Sequence, residues 1–592
     1  MLILFFGIGL YVFYVISAYY AGILNATSYR ITLATLFVPI PEIIITGLLI
    51  YTLQKQKIRP LLRLLGCCLG VVFLLIFSIQ FIFIALTGEF ISSLALANIG
   101  QAYLIFNYKH AISLVLIMVL CLYFMRCYKH QTCRDGYPLF AKVFLILFFV
   151  CNLFILGWQN SFYTNKTRLN KYMVGQTPIV GITKNTAVLL GIGNNWKTGP
   201  SRHDFPFIKN KSYKEKLPFQ VKNNVKHPNV IVIFTEGTSA RLLGCYGGKF
   251  VGLTPNIDAF ADASMRVDNY FNHTAATFRG THGQLASCYP YTGGWMNGGW
   301  AGKDNNVASL VKKRYQTLPN ILNVLAYDTV FLSPHAKTDP YTRLLEMLKF
   351  KTIYTGDSLQ ALLDCKPEMP NDGVSDKDMY QSAINFLEKR TTEKPFLLSF
   401  YTFHTHAFID KTADGVAYGK GDNMTLNTLH TCDAAFGEFW QYFKDSRYKD
   451  NTILVFTADH AHYFEKPYLD IIGIDPTYKK VFFDKIPLII YDEIHQLPKT
   501  YDARDYTSVD LTPTILQLLG LKDTRNSFMG TSIFENTTQH YHICYDGGFY
   551  GIGNHALLTE KEIPEYMYDE FKRQRGKIEQ FHACEQDNRV FK

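Results

Sequence analysis

The chain begins with long apolar stretches and then changes to short apolar runs separated by amphipathic segments. A helix of about 20 apolar residues is long enough to cross the hydrocarbon of a bilayer, and most of the long stretches approach that length. The pattern therefore predicts a transmembrane domain over residues 1–158. Its five predicted spans are roughly Leu2–Leu24, Ile31–Leu53, Leu64–Leu86, Ala111–Phe124 and Phe140–Trp158.

The pattern changes in the rest of the chain. Residues 159–226 are predicted to form a polar connector with Lys, Asn and Pro. From Pro228 onward, short buried runs alternate with helical segments such as Asp376–Lys389 and Asp510–Leu519. This alternation indicates βαβ units around a mostly parallel sheet, so residues 227–592 are predicted to form an α/β domain. The buried strands are predicted at Asn229–Thr235, Pro395–Thr402, Asn451–Thr457 and Ile486–Tyr491.

The distribution of charge supports this division. The 592 residues include 59 Lys and Arg against 49 Asp and Glu, a formal net charge of +10. The ten basic and three acidic residues before residue 159 contribute +7 of that charge. Most of these basic residues lie in two alternate loops, 54–63 and 125–142, which the positive-inside rule places in the cytoplasm. The charge therefore indicates membrane orientation, with the 227–592 domain outside, and gives no support for a nucleic-acid partner.

Three of the predicted strands are followed by acidic or imidazole side chains. In a mostly parallel sheet, ligands bind at the carboxyl ends of the strands. Carboxylate and imidazole together suit a divalent metal such as Zn²⁺ or Mn²⁺, although a helix cap with a surface His is the alternative for a single Asp-His pair. The side chains are Glu236 after the first strand, His404 and His406 after the second, and Asp459, His460 and His462 after the third.

A hydroxyl nucleophile is expected within residues 272–285, between the first two strands. Thr281 follows Gly280, which permits close approach, and is predicted to begin a helix whose N-terminus favours a phosphate. A Thr hydroxyl becomes a good nucleophile only when a metal or a base lowers its pKa. A helix N-cap is the alternative role for Thr281, and the metal ligands on either side favour the nucleophile.

Several short motifs occur in order along the 227–592 domain. They are NVIVIFTEGTS at 229–239, TPNID at 254–258, RGTHG at 279–283, LPNIL at 318–322, THAF at 405–408, TADH at 457–460 and DLTPTILQLLG at 510–520. With these motifs the domain resembles the alkaline phosphatase/sulfatase superfamily. It is most similar to the membrane-anchored bacterial branch of phosphoethanolamine transferases and lipoteichoic-acid-synthase-like phosphoglycerol transferases.

The resemblance implies roles for individual residues. Glu236, Asp459 and His460 match the metal ligands of the family, and Thr281 matches the nucleophile and fourth ligand. His406 matches the family His that holds the phosphate or protonates a leaving group. The further candidates for substrate binding are His404, His462, His335 and Arg343, the last two with a solvated loop as the alternative.

The resemblance also implies a reaction and a location. The reaction is metal-dependent transfer of phosphoethanolamine or phosphoglycerol from a phospholipid to an envelope glycolipid or glycan, through a phospho-Thr intermediate. The location is the bacterial cytoplasmic (inner) membrane, as a multi-pass protein with a periplasmic catalytic domain. The alternatives are a membrane-anchored phosphodiesterase, phosphatase or sulfatase-like hydrolase, and a non-catalytic membrane binding module. A sulfatase is disfavoured because family sulfatases oxidise a Cys or Ser within C/S-x-P-x-R, whereas Thr281 is the predicted nucleophile.

The outer domain also contains an even number of cysteines. In an oxidising compartment they suit up to three disulfides, and free buried thiols are the alternative. These six residues are Cys245, Cys288, Cys365, Cys432, Cys544 and Cys584.

Overall fold

The structure, a computed structural model, divides into two compact units, Met1–Ile192 and Gly193–Lys592. The residues it describes are 2–20, 37–54, 60–87, 90–91, 96, 177–179, 182–183, 186, 207–213, 217–290, 316–473, 475, 477–521, 524–535, 542–546 and 548–586.

The described part of the first unit is helical, with helices α1 (Leu2–Tyr20), α2 (Ile40–Gln54) and α3 (Pro60–Thr87). Among the residues that the structure describes, no helix combines the length and the apolar character that a membrane crossing requires. The five predicted spans are therefore not confirmed, and the fourth and fifth, 111–124 and 140–158, lie outside the described residues.

The second unit contains an eight-stranded sheet in which most neighbouring strands are parallel. The exception is β8, which is antiparallel to both of its neighbours. The predicted α/β domain with a mostly parallel sheet is confirmed. In spatial order, with numbers in chain order, the strands are β5 (Thr352–Tyr354), β4 (Asp328–Leu332), β6 (Phe396–Thr402), β2 (Asn229–Thr235), β7 (Thr452–Ala458), β8 (Leu488–Tyr491), β3 (Met265–Asp268) and β9 (Thr500–Asp502).

Helices cover this sheet, and both predicted helices form, one over Asp376–Lys389 and one over Leu511–Leu518. All residues of β2, β6 and β7 are buried, as expected for parallel strands covered on both faces. The helices of this unit are α4 (Pro255–Asp262), α5 (Thr277–Ala286), α6 (Leu318–Val324), α7 (Pro340–Met347), α8 (Gln360–Leu363), α9 (Asp376–Lys389), α10 (Met424–Asp445), α11 (Lys466–Ile472), α12 (Leu511–Leu518) and α13 (Glu565–Gln586).

Two smaller sheets complete the described part of this unit. Strands β1 (Lys209–Lys211) and β10 (Thr524–Asn526) form an antiparallel pair. Strands β11 (Ile543–Tyr545), β12 (Phe549–Gly553) and β13 (Ala556–Thr559) form an antiparallel meander that precedes α13. The meander and α13 are called the C-terminal module below.

The register of the central strands decides where the candidate chemistry lies. Thr235 at the end of β2 is paired with Thr402 of β6 on one side and with Ala458 of β7 on the other. The residues that follow these three strands therefore leave the sheet at the same edge. Glu236 and Asp459 are the first residues beyond their strands.

The cysteines of the outer domain are free thiols wherever the structure describes their side chains. The disulfide interpretation therefore does not hold for these described cysteines. Cys288, Cys432 and Cys544 are buried. Cys245 is partly buried and Cys365 is exposed.

A buried carboxylate joins two helices of the domain and provides a test of the fold. Asp433 of α10 accepts hydrogen bonds from the backbone amides of Asn256 (3.1 Å) and Ile257 (2.8 Å) in the first turn of α4. Asp433→Ala removes these acceptors, and we expect the free energy of unfolding to fall by about 2–4 kcal/mol. The measurement is chemical denaturation. The control is Asp445→Ala, an exposed carboxylate of the same helix, for which we expect a change below about 0.5 kcal/mol.

Candidate metal centre

Three acidic or imidazole side chains meet at the shared edge of β2 and β7. One ligand atom each from Glu236, Asp459 and His460 lies within 4.8 Å of the others. The His460 Nε2 atom is 3.2 Å from Glu236 Oε1 and 3.3 Å from Asp459 Oδ2. All three side chains are buried. The structure thus brings together the three residues predicted as metal ligands.

Backbone amides hold the Asp459 carboxylate in place. Its Oδ1 atom accepts hydrogen bonds from the amides of Gly237 (2.8 Å) and His460 (2.7 Å). Gly237 has φ +49°, a conformation that glycine adopts without steric cost. By contrast, Asp459 Oδ2 has no hydrogen-bond partner among the described residues.

The charges of the cluster shift the pKa of each member. Burial together with the Glu236 charge raises the pKa of Asp459 to about 8. Burial opposes ionisation of Glu236, but the imidazoles of His460 and His406 outweigh it and hold the pKa of Glu236 below its usual range. Burial alone would lower the pKa of His460, yet the two carboxylates raise it to about 9.

These residues fit a divalent cation. A buried carboxylate oxygen that accepts no hydrogen bond, such as Asp459 Oδ2 among the described residues, is costly unless a cation compensates it. A second carboxylate and an imidazole within the same 4.8 Å supply the mixed oxygen and nitrogen ligands that Zn²⁺ and Mn²⁺ accept. Glu236, Asp459 and His460 would hold the ion.

A threonine hydroxyl adjoins the cluster, and it belongs to Thr277. The Thr277 hydroxyl donates to Glu236 Oε2 at 2.9 Å and lies 3.4 Å from His460 Nε2. Thr277 is the first residue of α5 and is only partly buried. The preceding residue, Ala276, has φ +67°, and this turn of the backbone brings the chain into the helix beside Glu236.

The structure places Thr281 differently from the prediction. The helix begins four residues earlier than predicted, so Thr281 lies one turn inside α5. It is fully buried, and its hydroxyl is 3.0 Å from the Tyr341 hydroxyl. The hydroxyl that touches the predicted metal ligands is therefore that of Thr277.

Helix α5 packs tightly against the end of β7. The Gln284 side chain donates to the carbonyl groups of Ala458 and Asp459, both at 3.0 Å. A Cβ atom on Gly280 would lie 2.2 Å from the Asp459 carbonyl oxygen. Glycine is thus required at this contact, which sets the distance between the helix and the ligands.

A tyrosine supports Glu236 from the neighbouring strand. Tyr401 of β6 donates its hydroxyl to Glu236 Oε2, the oxygen that also accepts from Thr277. Burial and the Glu236 charge raise the pKa of Tyr401 well above its usual range, so the phenol stays protonated and remains a donor.

The two histidines that follow β6 have different surroundings. His406 is partly buried, and its Nδ1 lies 2.7 Å from the Ala407 carbonyl, which leaves Nε2 as its basic nitrogen. This imidazole is one of the groups that hold the pKa of Glu236 below its usual range. His404 is buried, with Nδ1 3.6 Å from Asp376 Oδ1.

His462 is part of a hydrogen-bond network behind the cluster. Its Nδ1 lies 2.8 Å from the Gly237 carbonyl, and its Nε2 is 3.3 Å from Glu465 Oε1. Glu465 also accepts from the Thr425 hydroxyl at 3.1 Å and from the Phe408 amide at 2.5 Å. The network joins the loops that carry His406 and His460, so these contacts give His462 a structural role.

The remaining two candidates lie apart from the ligand contacts described above. The His335 ring packs against the rings of Tyr401 and Phe403, with centroids 5.7 and 5.0 Å away. The Arg343 side chain is 55% exposed and forms an ion pair with Glu346 on the same helix. Arg343 is therefore a solvated surface residue, as the alternative interpretation expects, and not a member of the cluster.

Sequence reasoning missed Thr277, Tyr401 and Glu465. Thr277 lies within residues 272–285, where a nucleophile is expected, but no neighbouring residue marks it as the start of the helix. For Tyr401 the available signal is its position near the end of β6, since the neighbouring strand β2 is followed directly by Glu236. Glu465 follows His462 by three residues, a spacing at which side chains readily meet.

A family comparison agrees with this geometry. Residues 228–521 match the sequence model of the family described as Sulfatase. An N-acetylglucosamine-6-O-sulfatase of Bacteroides thetaiotaomicron is 25% identical over 192 residues, 31% of this chain. The lipoteichoic acid synthase-like YvgJ of Bacillus subtilis is 23% identical over 205 residues, 32% of this chain. The matched part spans 32% of the length of each of these relatives.

A solved structure shares the fold over a larger part of the chain. The integral membrane protein lipooligosaccharide phosphoethanolamine transferase A (EptA) from Neisseria meningitidis superposes with a TM-score of 0.53 at 14% identity. The match covers 88% of this chain and 95% of that protein. At this identity the likeness establishes the fold.

The cluster predicts that a divalent cation stabilises the protein. Adding Zn²⁺ or Mn²⁺ to metal-free protein should raise the unfolding temperature, by an amount equivalent to about 2.7 kcal/mol at 100 times the dissociation constant. Asp459→Asn should abolish the increase, whereas Asp470→Asn, an exposed carboxylate, should keep it. Because Asp459 and His460 must lose their protons to bind the ion, the apparent affinity should rise with pH up to about 9. An equal increase in Asp459→Asn would contradict the site.

The contact at Gly280 predicts an effect of one added methyl group. Gly280→Ala places a Cβ against the Asp459 carbonyl, so we expect weaker metal binding by calorimetry and a loss of about 1–3 kcal/mol in stability. Gly576→Ala is the matched control, because no atom lies within 4 Å of the added Cβ in α13. That variant should be unchanged or more stable by about 0.5–1 kcal/mol.

Proposed function

We propose that this chain, which carries a sulfatase-family domain of the alkaline phosphatase superfamily, transfers a phospho-headgroup from a phospholipid to an envelope glycolipid or glycan. The headgroup is phosphoethanolamine or phosphoglycerol. The observation that carries the proposal is the Thr277 hydroxyl, which is partly exposed at the start of a helix and 2.9 Å from a buried Glu236 oxygen. The names of EptA and YvgJ support this reaction class for relatives of the chain.

In the first step, the Thr277 oxygen attacks the phosphorus atom of the lipid headgroup. A bond forms between Thr277 Oγ1 and phosphorus while the bond to the diacylglycerol oxygen breaks. Glu236 orients the hydroxyl by accepting its hydrogen bond, and the Thr277 proton passes to water at this partly exposed residue. His406 supplies a proton to the departing diacylglycerol oxygen, and the product is a phosphodiester on Thr277.

The surroundings of Thr277 favour this attack. A bound divalent cation lowers the pKa of a nearby hydroxyl and offsets the negative charge that grows in the transition state. Thr277 is also the first residue of α5, and the N-terminus of a helix favours an anionic phosphate. Tyr401 keeps the Glu236 carboxylate oriented toward the hydroxyl.

In the second step, an acceptor hydroxyl attacks the phosphorus atom bound to Thr277. The bond between Thr277 and phosphorus breaks, and the Thr277 oxygen regains a proton from water. His406 takes the proton of the acceptor, so both residues return to their initial states. Water in place of the acceptor gives hydrolysis by the same residues.

We further propose that the chain is a multi-pass protein of the bacterial inner membrane with its catalytic domain in the periplasm. Two observations support this placement: the apolar stretches and basic loops before residue 159, and the fold shared with an integral membrane protein over 88% of the chain. Membrane anchoring lets the site reach a lipid headgroup without extracting the lipid.

Sulfate ester hydrolysis is the second candidate, because a sulfatase is among the sequence relatives. Threonine occupies both 277 and 281, and neither position can give the formylglycine that family sulfatases form from Cys or Ser. We therefore favour phosphoryl transfer.

The test compares the two threonines. Thr277→Ala should abolish the conversion of fluorescent NBD-labelled phosphatidylethanolamine or phosphatidylglycerol to NBD-diacylglycerol, while divalent metal is still bound. Thr281→Val removes the hydroxyl that contacts Tyr341 and should keep turnover within about tenfold. Intact protein mass spectrometry should detect the headgroup adduct in wild-type protein and not in Thr277→Ala.

Three outcomes would contradict the proposal. Normal turnover in Thr277→Ala together with loss in Thr281→Val would return the nucleophile to Thr281. Release of free headgroup with no modified envelope glycolipid or glycan in cells would indicate a hydrolase. Cleavage of a sulfate ester without cleavage of either lipid would indicate a sulfatase.

A further inference from the structure

The segment that carries Thr277, residues 272–289, is held at both ends by the C-terminal module. At the start of the segment, the Tyr545 amide donates to the His273 carbonyl at 2.9 Å. At its end, the Tyr289 hydroxyl donates to the Ile543 carbonyl at 2.8 Å, and His582 Nε2 lies 2.7 Å from the Tyr289 carbonyl. Strand β11 and helix α13 thus border the segment on both sides of α5.

A buried ion pair joins the same module to the middle of the segment. Arg279 Nη2 lies 2.7 Å from Asp546 Oδ1, and the Arg279 side chain is only 2% exposed. Asp546 follows β11 directly, and Arg279 is two residues after Thr277. Breaking a contact between a guanidinium buried to this extent and its carboxylate is costly, so the pair holds Arg279 firmly.

The entry to α5 needs such support. Ala276 has φ +67° and ψ 146°, a conformation that side-chain-bearing residues rarely adopt. A strained residue immediately before Thr277 persists only where the surrounding contacts enforce it. The ion pair lies on the helix three residues beyond the strained position, close enough to fix the direction in which α5 leaves it.

We propose that Asp546, acting through Arg279, is a positioning residue that holds the Thr277 hydroxyl against Glu236. The C-terminal module lies beyond residues 228–521, the part that matches the family model. The inference rests on the proposed role of Thr277 as nucleophile.

The first test is Asp546→Asn in the full-length protein. A small displacement of a nucleophile lowers turnover, so we expect kcat for NBD-diacylglycerol release to fall about 10- to 100-fold. We expect KM and the metal affinity measured by calorimetry to stay within about twofold, because the lost contact acts only on the reacting oxygen. The matched control is Asp328→Asn, which breaks the 2.8 Å pair with Arg390 at the start of β4 and should leave kcat unchanged.

The second test separates positioning from stability. The double variant Arg279→Met with Asp546→Leu removes both charges of the pair, so its unfolding temperature should return toward the wild-type value. If the pair positions Thr277, kcat stays low in this stable variant. Recovery of kcat together with the unfolding temperature would show a purely structural pair and overturn the inference. The double variant decides the question if Asp546→Asn does not fold.

These tests distinguish failure of the positioning role of Asp546 from failure of the proposed function. If Thr277→Ala keeps wild-type turnover, the assignment of the nucleophile fails, whatever Asp546 does. If Thr277→Ala is inactive while Asp546→Asn keeps the wild-type kcat, the nucleophile stands and only the positioning role is refuted.

Discussion

Two buried carboxylates side by side are the constraint on which the rest of this domain depends. Glu236 and Asp459 follow paired residues of neighbouring parallel strands, so the sheet register alone puts them together. Each must then be compensated in an interior where an unpaired charge is costly. The compensation comes from the Gly237 amide, the Tyr401 phenol, the His460 imidazole and the Thr277 hydroxyl. The remaining unsatisfied oxygen on Asp459 is what makes the cluster suited to a cation.

The sequence was sufficient wherever a local pattern determines the outcome. The buried strands are nearly continuous apolar runs, and α9 occupies the predicted residues 376–389 because its caps and its periodicity agree. The three metal-ligand candidates came from the rule that polar groups after parallel strands meet at one edge. That rule needs only the strands, and the structure brings Glu236, Asp459 and His460 together accordingly.

Other features depend on contacts that no local pattern encodes. Thr277 and Thr281 lie one helical turn apart on the same helix, and only the left-handed conformation of Ala276 decides which one begins it. His462 and Arg343 were candidates because of their residue types, but Glu465 and Glu346 engage them. The five membrane spans are predicted from the lengths of apolar stretches and the charge of the loops, and no described helix meets the requirements of a span.

The amide–carboxylate contact between Gly237 and Asp459 joins residues separated by 222 positions, and the Arg279–Asp546 pair joins residues separated by 267. The ribosome therefore synthesises Glu236 and the proposed nucleophile well before Asp459. It adds Asp546 later still. During synthesis the partial chain therefore lacks the complete cluster until Asp459 and His460 have been made.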